Sequence, residues 1–139
     1  MAEININDLQ EYDFKNAHKG DIVVVATINY GELQSFTLCS VKSVSPKMGY
    51  VTLDNGLKYS KNGYEYGRDS FSRNYHSVLV DNEETRKMAN LYMAQKNIAR
   101  KIMVQIQKIN IERLMKSTSD NCRTLSLALD EILGGRTYV

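Results

Sequence analysis

The chain has 139 residues, of which 42% are hydrophobic, and this is enough to form the core of one domain. No apolar run reaches the roughly 18 residues that a membrane-spanning helix needs, and the N-terminus is polar and acidic, unlike a signal peptide. We therefore expect a cytoplasmic protein without a membrane partner. Because Cys39 and Cys122 are isolated in the sequence, we expect neither a zinc site nor a disulfide.

The net charge of +2 is the sum of two halves of opposite sign. Residues 1–81 carry 8 basic and 10 acidic side chains, whereas residues 82–139 carry 10 basic and 6 acidic ones. Such an asymmetry is typical either of a surface for an acidic partner or of a solvated helix face.

The first 80 residues contain the strand signals. The segment up to about residue 19 has a weak apolar pattern that suits either a strand or a short helix. From Asp21 onward, the β-branched run DIVVVATI predicts a strand. The next segment, LQSFTLCSVKSV, has apolar residues on both of its alternating faces, which predicts a long, curved strand that changes its buried face partway.

Tight turns separate the remaining strands. The run YVTLD predicts a strand, and Asn55-Gly56 predicts a hairpin turn because this pair readily adopts positive φ angles. Residues 57–60 are predicted to form the returning strand, and residues 61–75 are predicted to form a polar loop. The run HSVLV predicts the last strand. The fold class is therefore α+β, with a small antiparallel β-barrel or roll over residues 1–80.

A helical region is predicted over residues 81–139. Asp81 and Glu84 have the spacing of a capping box, so a long amphipathic helix should span about residues 82–116, with or without a kink or break. A shorter helix is predicted at about residues 119–133. The long helix has an apolar stripe formed by Met88, Leu91, Tyr92, Ile98, Ala99, Ile102, Ile106 and Ile109.

A helix of about 30 residues extends roughly 45 Å, which is farther than a small barrel can cover. Part of its stripe must then pack on the last helix or on a second copy of the chain. We expect a homodimer formed through the long helix.

Few residues suggest catalysis. His18 and His76 are the only histidines, and neither belongs to a recognisable motif, so we interpret both as surface or packing residues. The sequence contains no nucleophile elbow, P-loop, zinc-protease motif or dinucleotide fingerprint. We therefore expect neither an enzyme nor a bound cofactor.

The polar loop combines tyrosines with arginines, a mixture that suits recognition of a protein or of single-stranded nucleic acid. The alternative is that about half of the rings of this region pack inside the barrel. The predicted partner-binding residues of the loop are Tyr64, Tyr66, Arg68, Phe71 and Arg73.

The long helix also carries basic residues opposite or beside its apolar stripe. Evenly spread Lys and Arg residues can neutralise phosphates, although they also occur on ordinary solvated helices. The sequence pI of about 8.5 is lower than that of dedicated nucleic-acid binders. The predicted partner- or phosphate-binding residues are Arg86, Lys96, Arg100, Lys101 and Lys108.

The segment Lys19-Gly20-Asp21-Ile22-Val23, together with the later run VKSVSPKMGYVTLDNGLKYS, resembles the opening of small barrel domains of the KOW and Tudor kind. It also resembles uncharacterised small β-barrel proteins encoded by bacteriophages. The resemblance covers residues 19–80. It implies a barrel fold and a viral origin, and it transfers no functional residue.

These patterns favour a non-catalytic binding protein that engages another macromolecule, in the first place a protein, as an inhibitor or adaptor. If the chain is phage-encoded, the partner is a host factor. The alternative is a nucleic-acid-binding protein that uses the basic helix face and the tyrosine-rich loop. A third hypothesis is the sequestration of a small anionic nucleotide at a dimer interface.

Overall fold

The computed structural model describes residues 5–47, 49–68 and 73–134. The chain divides into two compact units, Met1–Lys96 and Asn97–Val139, which we call the β-unit and the helical unit. Residues 83–96 of the first α-helix belong to the β-unit, and the remainder of that helix belongs to the helical unit. The α+β class expected from the sequence is confirmed.

The elements follow one another in the predicted order. Two single turns of 3-10 helix, Ile6–Asp8 and Phe14–Asn16, occupy the N-terminal segment for which the sequence left a strand and a short helix open. The strands are β1 Ile22–Asn29, β2 Glu32–Ser45, β3 Tyr50–Leu53, β4 Lys58–Ser60 and β5 Tyr75–Val80, and the helices are α1 Glu83–Gln107, α2 Ile111–Lys116 and α3 Ser119–Ile132.

The five strands form one antiparallel sheet in the order β4-β3-β2-β1-β5, curled into a half-barrel. The hairpin predicted at Asn55-Gly56 joins β3 to β4, and Gly56 has a φ of 89° there. Tyr30 and Gly31 both have positive φ angles in the turn between β1 and β2. These angles match the twist of the flanking strands, which is why short hairpins favour them.

Strand β1 is buried on both faces, which explains its unbroken apolar run. Val23 and Val25 contribute to one core, while Val24, Ala26 and Ile28 contribute to another. The two cores therefore lie on opposite faces of the same strand, since successive side chains alternate. The partners of these residues within the two cores include Phe14, Cys39, Val41, Val51, Leu53, Tyr59 and Val78 in the first, and Leu9, Phe36, Leu79 and Ala89 in the second.

Strand β2 changes its buried face, as predicted. Phe36 packs in the second core, whereas Cys39 and Val41 pack in the first. The register of β2 against its neighbours shifts at two irregularities, one opposite Thr27 and Ile28 and one between Val41 and Ser43. Such irregularities bend a strand and increase its twist, which lets one long strand serve both cores.

The first turns of α1 cover the second core. Thr85 and Ala89 are buried, and Met88 and Tyr92 pack against the core from the same side. The Tyr92 hydroxyl donates to the Leu33 carbonyl at 2.6 Å. Within the predicted stripe, Met88 and Tyr92 therefore contact the β-unit core, whereas Leu91 is exposed.

The predicted N-cap at Asp81 is wrong by one residue. Helix α1 begins at Glu83, and the Asn82 side chain accepts the Thr85 N–H at 2.8 Å. Asp81 instead binds the Arg86 guanidinium through both carboxylate oxygens, at 2.5 and 3.1 Å. Both residue types can cap a helix, and this ion pair leaves the cap to Asn82.

The helical segment predicted to end at about residue 116 contains the break that the sequence left open. Helix α1 ends at Gln107, and α2 begins at Ile111. Asn110 has an extended backbone, and its side chain accepts the Arg113 N–H at 2.9 Å. A capping side chain of this kind starts a new helix, and it interrupts the old one although the apolar pattern continues across the break.

The described part of the helical unit, residues 97–134, contains no buried residue. Its best-covered apolar residues, Ile106, Leu114, Cys122, Leu125 and Leu129, are half-buried. Its exposed large apolar residues are Ile98, Ile102, Met103, Val104, Ile109, Ile111, Met115, Leu127, Ile132 and Leu133. None of the helices in the described ranges combines the length and the apolar character that crossing a membrane requires.

Candidate functional site

The loop after β4 folds back onto that strand. The Ser60 N–H donates to the Tyr64 carbonyl at 2.8 Å, and the Tyr66 N–H donates to the Lys58 carbonyl at 2.9 Å. These two bonds place Glu65 opposite Tyr59 in an isolated β-bridge. Because neighbouring residues of an extended segment point to opposite sides, Glu65 lies half-buried while Tyr64 and Tyr66 are exposed.

The predicted loop residues separate into different environments. Tyr64 and Tyr66 lie at the surface, and Tyr66 contacts the Tyr50 ring edge-to-face, with 5.9 Å between the ring centroids. Arg73 is exposed as well. Phe71 lies outside the described residues. A tyrosine surface therefore exists in the described part of the loop, centred on Tyr64 and Tyr66.

Arg68 does not share this surface. It is half-buried, and its guanidinium carbon lies 4.3 Å from the centroid of the Tyr75 ring. Stacking of this kind holds a guanidinium in place while leaving its N–H groups free to donate. The Arg68 Nε is buried and has no hydrogen-bond partner among the residues that the structure describes.

Glu65 and His76 form a fixed pair beside Arg68. The Glu65 Oε1 lies 2.7 Å from the His76 Nδ1, and the Glu65 Oε2 accepts the backbone N–H of His76 at 3.1 Å. The Glu65 side chain is the less exposed of the two. A carboxylate bound on both of its oxygens fixes the imidazole ring, because the ring can rotate only by breaking its Nδ1 contact.

A cavity of about 530 Å³ opens next to this pair. This volume falls within the range of small-molecule sites, roughly 300 to 1,000 Å³. The cavity lies between the second 3-10 turn and strands β4 and β5, and its lining includes Tyr12, Phe14, Lys15, Tyr59, Lys61, Arg68, Tyr75, His76 and Val78.

Tyr59 is the most deeply buried polar residue of the cavity lining. It is 2% exposed, and its ring stacks on Phe14 with 4.8 Å between the centroids. Its hydroxyl is buried without a hydrogen-bond partner in the described part of the chain. Burial, together with the nearby Glu65 carboxylate, raises the pKa of Tyr59 above its usual value. The hydroxyl therefore keeps its proton and can donate a hydrogen bond.

Four residues at or beside this cavity were not among the binding residues predicted from the sequence: Tyr59, Glu65, Tyr75 and His76. His76 was interpreted as a surface or packing residue, whereas it lies half-buried, paired with Glu65 and beside a cavity. No short motif connects these residues, because the folded-back loop and the first residues of β5 bring them together. The opposite charges of Glu65 and Arg68, only three residues apart in a glycine-punctuated loop, were the available signal.

The five predicted basic residues of the helix also divide into two groups. Arg86 is held by Asp81, and this ion pair lowers the pKa of the Asp81 carboxyl. Lys96 is half-buried and donates its ammonium group to the Gln34 carbonyl. Arg100, Lys101 and Lys108 lie in the helical unit and are exposed. Arg100, Lys101 and Lys108 are not in any of the ion pairs that the described residues form, whereas Asp81 holds Arg86 and the Gln34 carbonyl holds Lys96.

Comparison of the chain with protein-family models, with curated proteins and with solved structures finds no match. The function must therefore be argued from the residues themselves. Within the described ranges, no group of three or more His, Cys, Asp or Glu residues could hold a metal ion.

Proposed function

We propose that this chain is a non-catalytic binding protein that engages another protein through its helical unit and acts as an inhibitor or adaptor. The resemblance to small barrels of bacteriophages supports a phage accessory protein acting on a host factor in the host cytoplasm. The β-unit would serve as a stable platform, and the helical unit would supply the contact with the partner.

The observation that carries this proposal is the absence of buried residues from the described helical unit. Helices of this size gain most of their stability from packing an apolar face, because short helices are marginal in water by themselves. Ile111 and Met115 are 79% and 80% exposed. They lie four residues apart and therefore on one face of α2. An exposed apolar face of this kind is typical of a protein contact.

A second copy of the chain is the first partner that we propose. In such a dimer, the apolar helix face of one copy packs against the same face of the other copy. A twofold dimer is the simplest closed oligomer. The exposed tyrosines Tyr64 and Tyr66 would remain available for a different protein, since tyrosine provides a large contact area at low entropic cost.

The first test measures the molar mass of the full chain by light scattering, at low salt, with and without a mixed DNA and RNA pool. We expect twice the chain mass of 15.9 kDa, and no change when nucleic acid is added. The double variant Ile111→Glu/Met115→Glu places two charges in the proposed interface, so it should shift the mass to that of one chain.

The matched control is Ser117→Glu/Ser126→Glu, which adds the same two charges at exposed polar positions of the same unit. This control should remain a dimer. A wild-type chain that stays monomeric at all concentrations would overturn self-association. Dissociation of the control and the test variant alike would mean that net charge, rather than the α2 face, sets the mass.

Nucleic-acid binding is the second candidate, and the exposure of Arg100, Lys101 and Lys108 favours it. Basic residues that contact phosphates release counterions, so their contribution to affinity weakens as salt rises. Replacing all three with Gln should abolish any salt-dependent binding to DNA or RNA and leave the dimer intact. Unchanged, salt-dependent affinity in this triple variant would exclude the basic helix face as the site.

A further inference from the structure

The cavity beside Tyr59 points to a second activity that is independent of the helical unit. We propose that it binds a small organic anion through a phosphate or carboxylate group. Tyr59 and Arg68 donate hydrogen bonds to that group, and Lys61 provides additional positive charge at the cavity edge.

Two unpartnered donors are the first reason. The Tyr59 hydroxyl and the Arg68 Nε are both buried and lack a hydrogen-bond partner among the described residues, and both residues line the same cavity. A buried polar group without a partner is energetically unfavourable, because it has lost its hydrogen bonds to water. An arginine N–H can only donate, and the raised pKa of Tyr59 keeps its proton in place. The partner of the Arg68 N–H must therefore supply an acceptor atom, and the Tyr59 hydroxyl can donate to the same group.

The charges of the lining are the second reason. Lys15, Lys61 and Arg68 line the cavity together with the carboxylates Glu11 and Asp13. The Asp13 carboxylate is already satisfied, because it accepts the Lys15 N–H at 3.0 Å and the Asn16 amide at 2.6 Å. The Glu65 carboxylate is likewise taken by His76. The lining therefore carries three cations against the two carboxylates Glu11 and Asp13, and the ion pairs of the described residues include none of these three cations. They can bind an anion, and a charge-assisted hydrogen bond is stronger than a neutral one.

The rigidity of the site is the third reason. Tyr59 is held by its stacking on Phe14, Arg68 by its stacking on Tyr75, and His76 by Glu65. Donors fixed before the ligand arrives lose little conformational entropy on binding. This arrangement is characteristic of a preformed site, whereas mobile surface lysines would order only when the ligand binds.

The test is a titration of the full-length chain followed by two-dimensional 1H–15N NMR, with four probes. Inorganic phosphate and adenosine monophosphate represent phosphate groups, citrate represents carboxylates, and adenosine is the uncharged counterpart. We expect saturable shifts of the Arg68 Nε–H and of the His76 and Glu65 amides with the phosphate probes or with citrate. The probe that saturates first identifies the anionic group, and adenosine alone should produce no saturable shift.

Two variants assign the donors. Tyr59→Phe removes one hydroxyl and keeps the ring, and it should weaken binding of the responding probe about tenfold, the loss expected for one hydrogen bond to a charged group. Arg68→Gln removes the cation and should abolish saturation up to roughly 10 mM probe, where a weak single-anion site would still respond. Because the Tyr59 hydroxyl has no partner, Tyr59→Phe should fold with unchanged core resonances.

The matched controls are Tyr30→Phe and Arg123→Gln, which make the same chemical changes at exposed residues that do not line the cavity. Both should bind like the wild type. The proposal is overturned if no anionic probe gives saturable shifts at these residues, if adenosine binds as well as adenosine monophosphate, or if both cavity variants bind like the wild type. None of these outcomes depends on the mass of the chain in solution, so this proposal and the proposed function can fail separately.

Discussion

The β-unit and the helical unit differ in where their apolar side chains lie. In the described part of the β-unit, strand β1 is buried on both faces and separates two cores. In residues 97–134 of the helical unit, the best-covered apolar side chains are only half-buried. Apolar burial is the main favourable contribution to folding. We therefore expect the β-unit to supply most of the stability of the chain, while the described helical unit keeps exposed apolar surface.

A matched pair of leucine substitutions should show the largest difference between the units. Leu53 is 0% exposed and Leu127 is 62% exposed. Leu53→Ala should lower the free energy of unfolding by about 2 to 5 kcal/mol, because it removes buried methyl groups and leaves a cavity. Leu127→Ala should change it by less than about 0.5 kcal/mol. Urea unfolding followed by tyrosine fluorescence measures both.

Comparable losses in the two leucine variants would contradict this assignment, because they would mean that Leu127 is buried when the chain is alone. The comparison should be made on dilute protein, where self-association does not contribute.

The two cysteines should give the next largest difference, because each unit contains one. Cys39 is buried, and burial together with the nearby Asp54 carboxylate raises the pKa of its thiol to about 11. Cys122 is half-buried. A thiol reacts as its thiolate and only when a reagent reaches it. We expect Cys122 to be alkylated at least roughly a hundredfold faster than Cys39 at neutral pH, since Cys39 requires opening of the β-unit.

Mass spectrometry of peptides after timed alkylation measures the two rates separately. In denaturant both cysteines should react at similar rates, which provides the control. Equal rates in the native protein would show that the first core opens as readily as the helical unit does.

The smallest effect concerns the pH dependence of the β-unit. The Asp21 carboxylate accepts the Tyr12 hydroxyl at 2.6 Å and the His18 N–H at 2.9 Å, and these bonds lower the pKa of Asp21. Because its folded pKa lies below its unfolded value of about 3.9, the stabilisation is present above about pH 4 and is lost as the pH falls further. Asp21→Asn should cost about 1 kcal/mol at neutral pH and little in acid.

Urea unfolding of Asp21→Asn and of the wild type at several pH values measures this difference. Asp120→Asn, in the helical unit, is the control and should leave unfolding of the β-unit unchanged. A loss for Asp21→Asn that is the same at pH 3 and at pH 7 would show that the effect comes from packing rather than from the ionised carboxylate.

Local sequence signals were sufficient for most of the β-unit. The β-branched run of β1 and the pair Asn55-Gly56 each act within a few residues, so their positions could be predicted. The mixed faces of β2 correctly indicated a change of the buried face. The break after Gln107 was predicted only as a possibility, because apolar spacing continues through it and the deciding signal is a single capping residue, Asn110.

The cavity could not be predicted in the same way. Tyr59 and His76 are 17 positions apart in the sequence, and only the folded-back loop brings Glu65 to both of them. The sequence indicated that tyrosines and arginines were concentrated in this region. It did not distinguish exposed rings, such as Tyr64, from buried ones, such as Tyr59, because the distinction arises from tertiary packing.

Hydrogen exchange of the full-length chain, measured by mass spectrometry on dilute protein, tests the central claim most directly. Backbone amides exchange at rates set by the free energy of local or global opening. We predict strong protection in β1, β2, β3 and β5 and weak protection in α2 and α3, with protection of α2 rising as the protein is concentrated and self-associates. Equally strong protection of α2 and α3 in the dilute protein would contradict the claim that the helical unit depends on a partner.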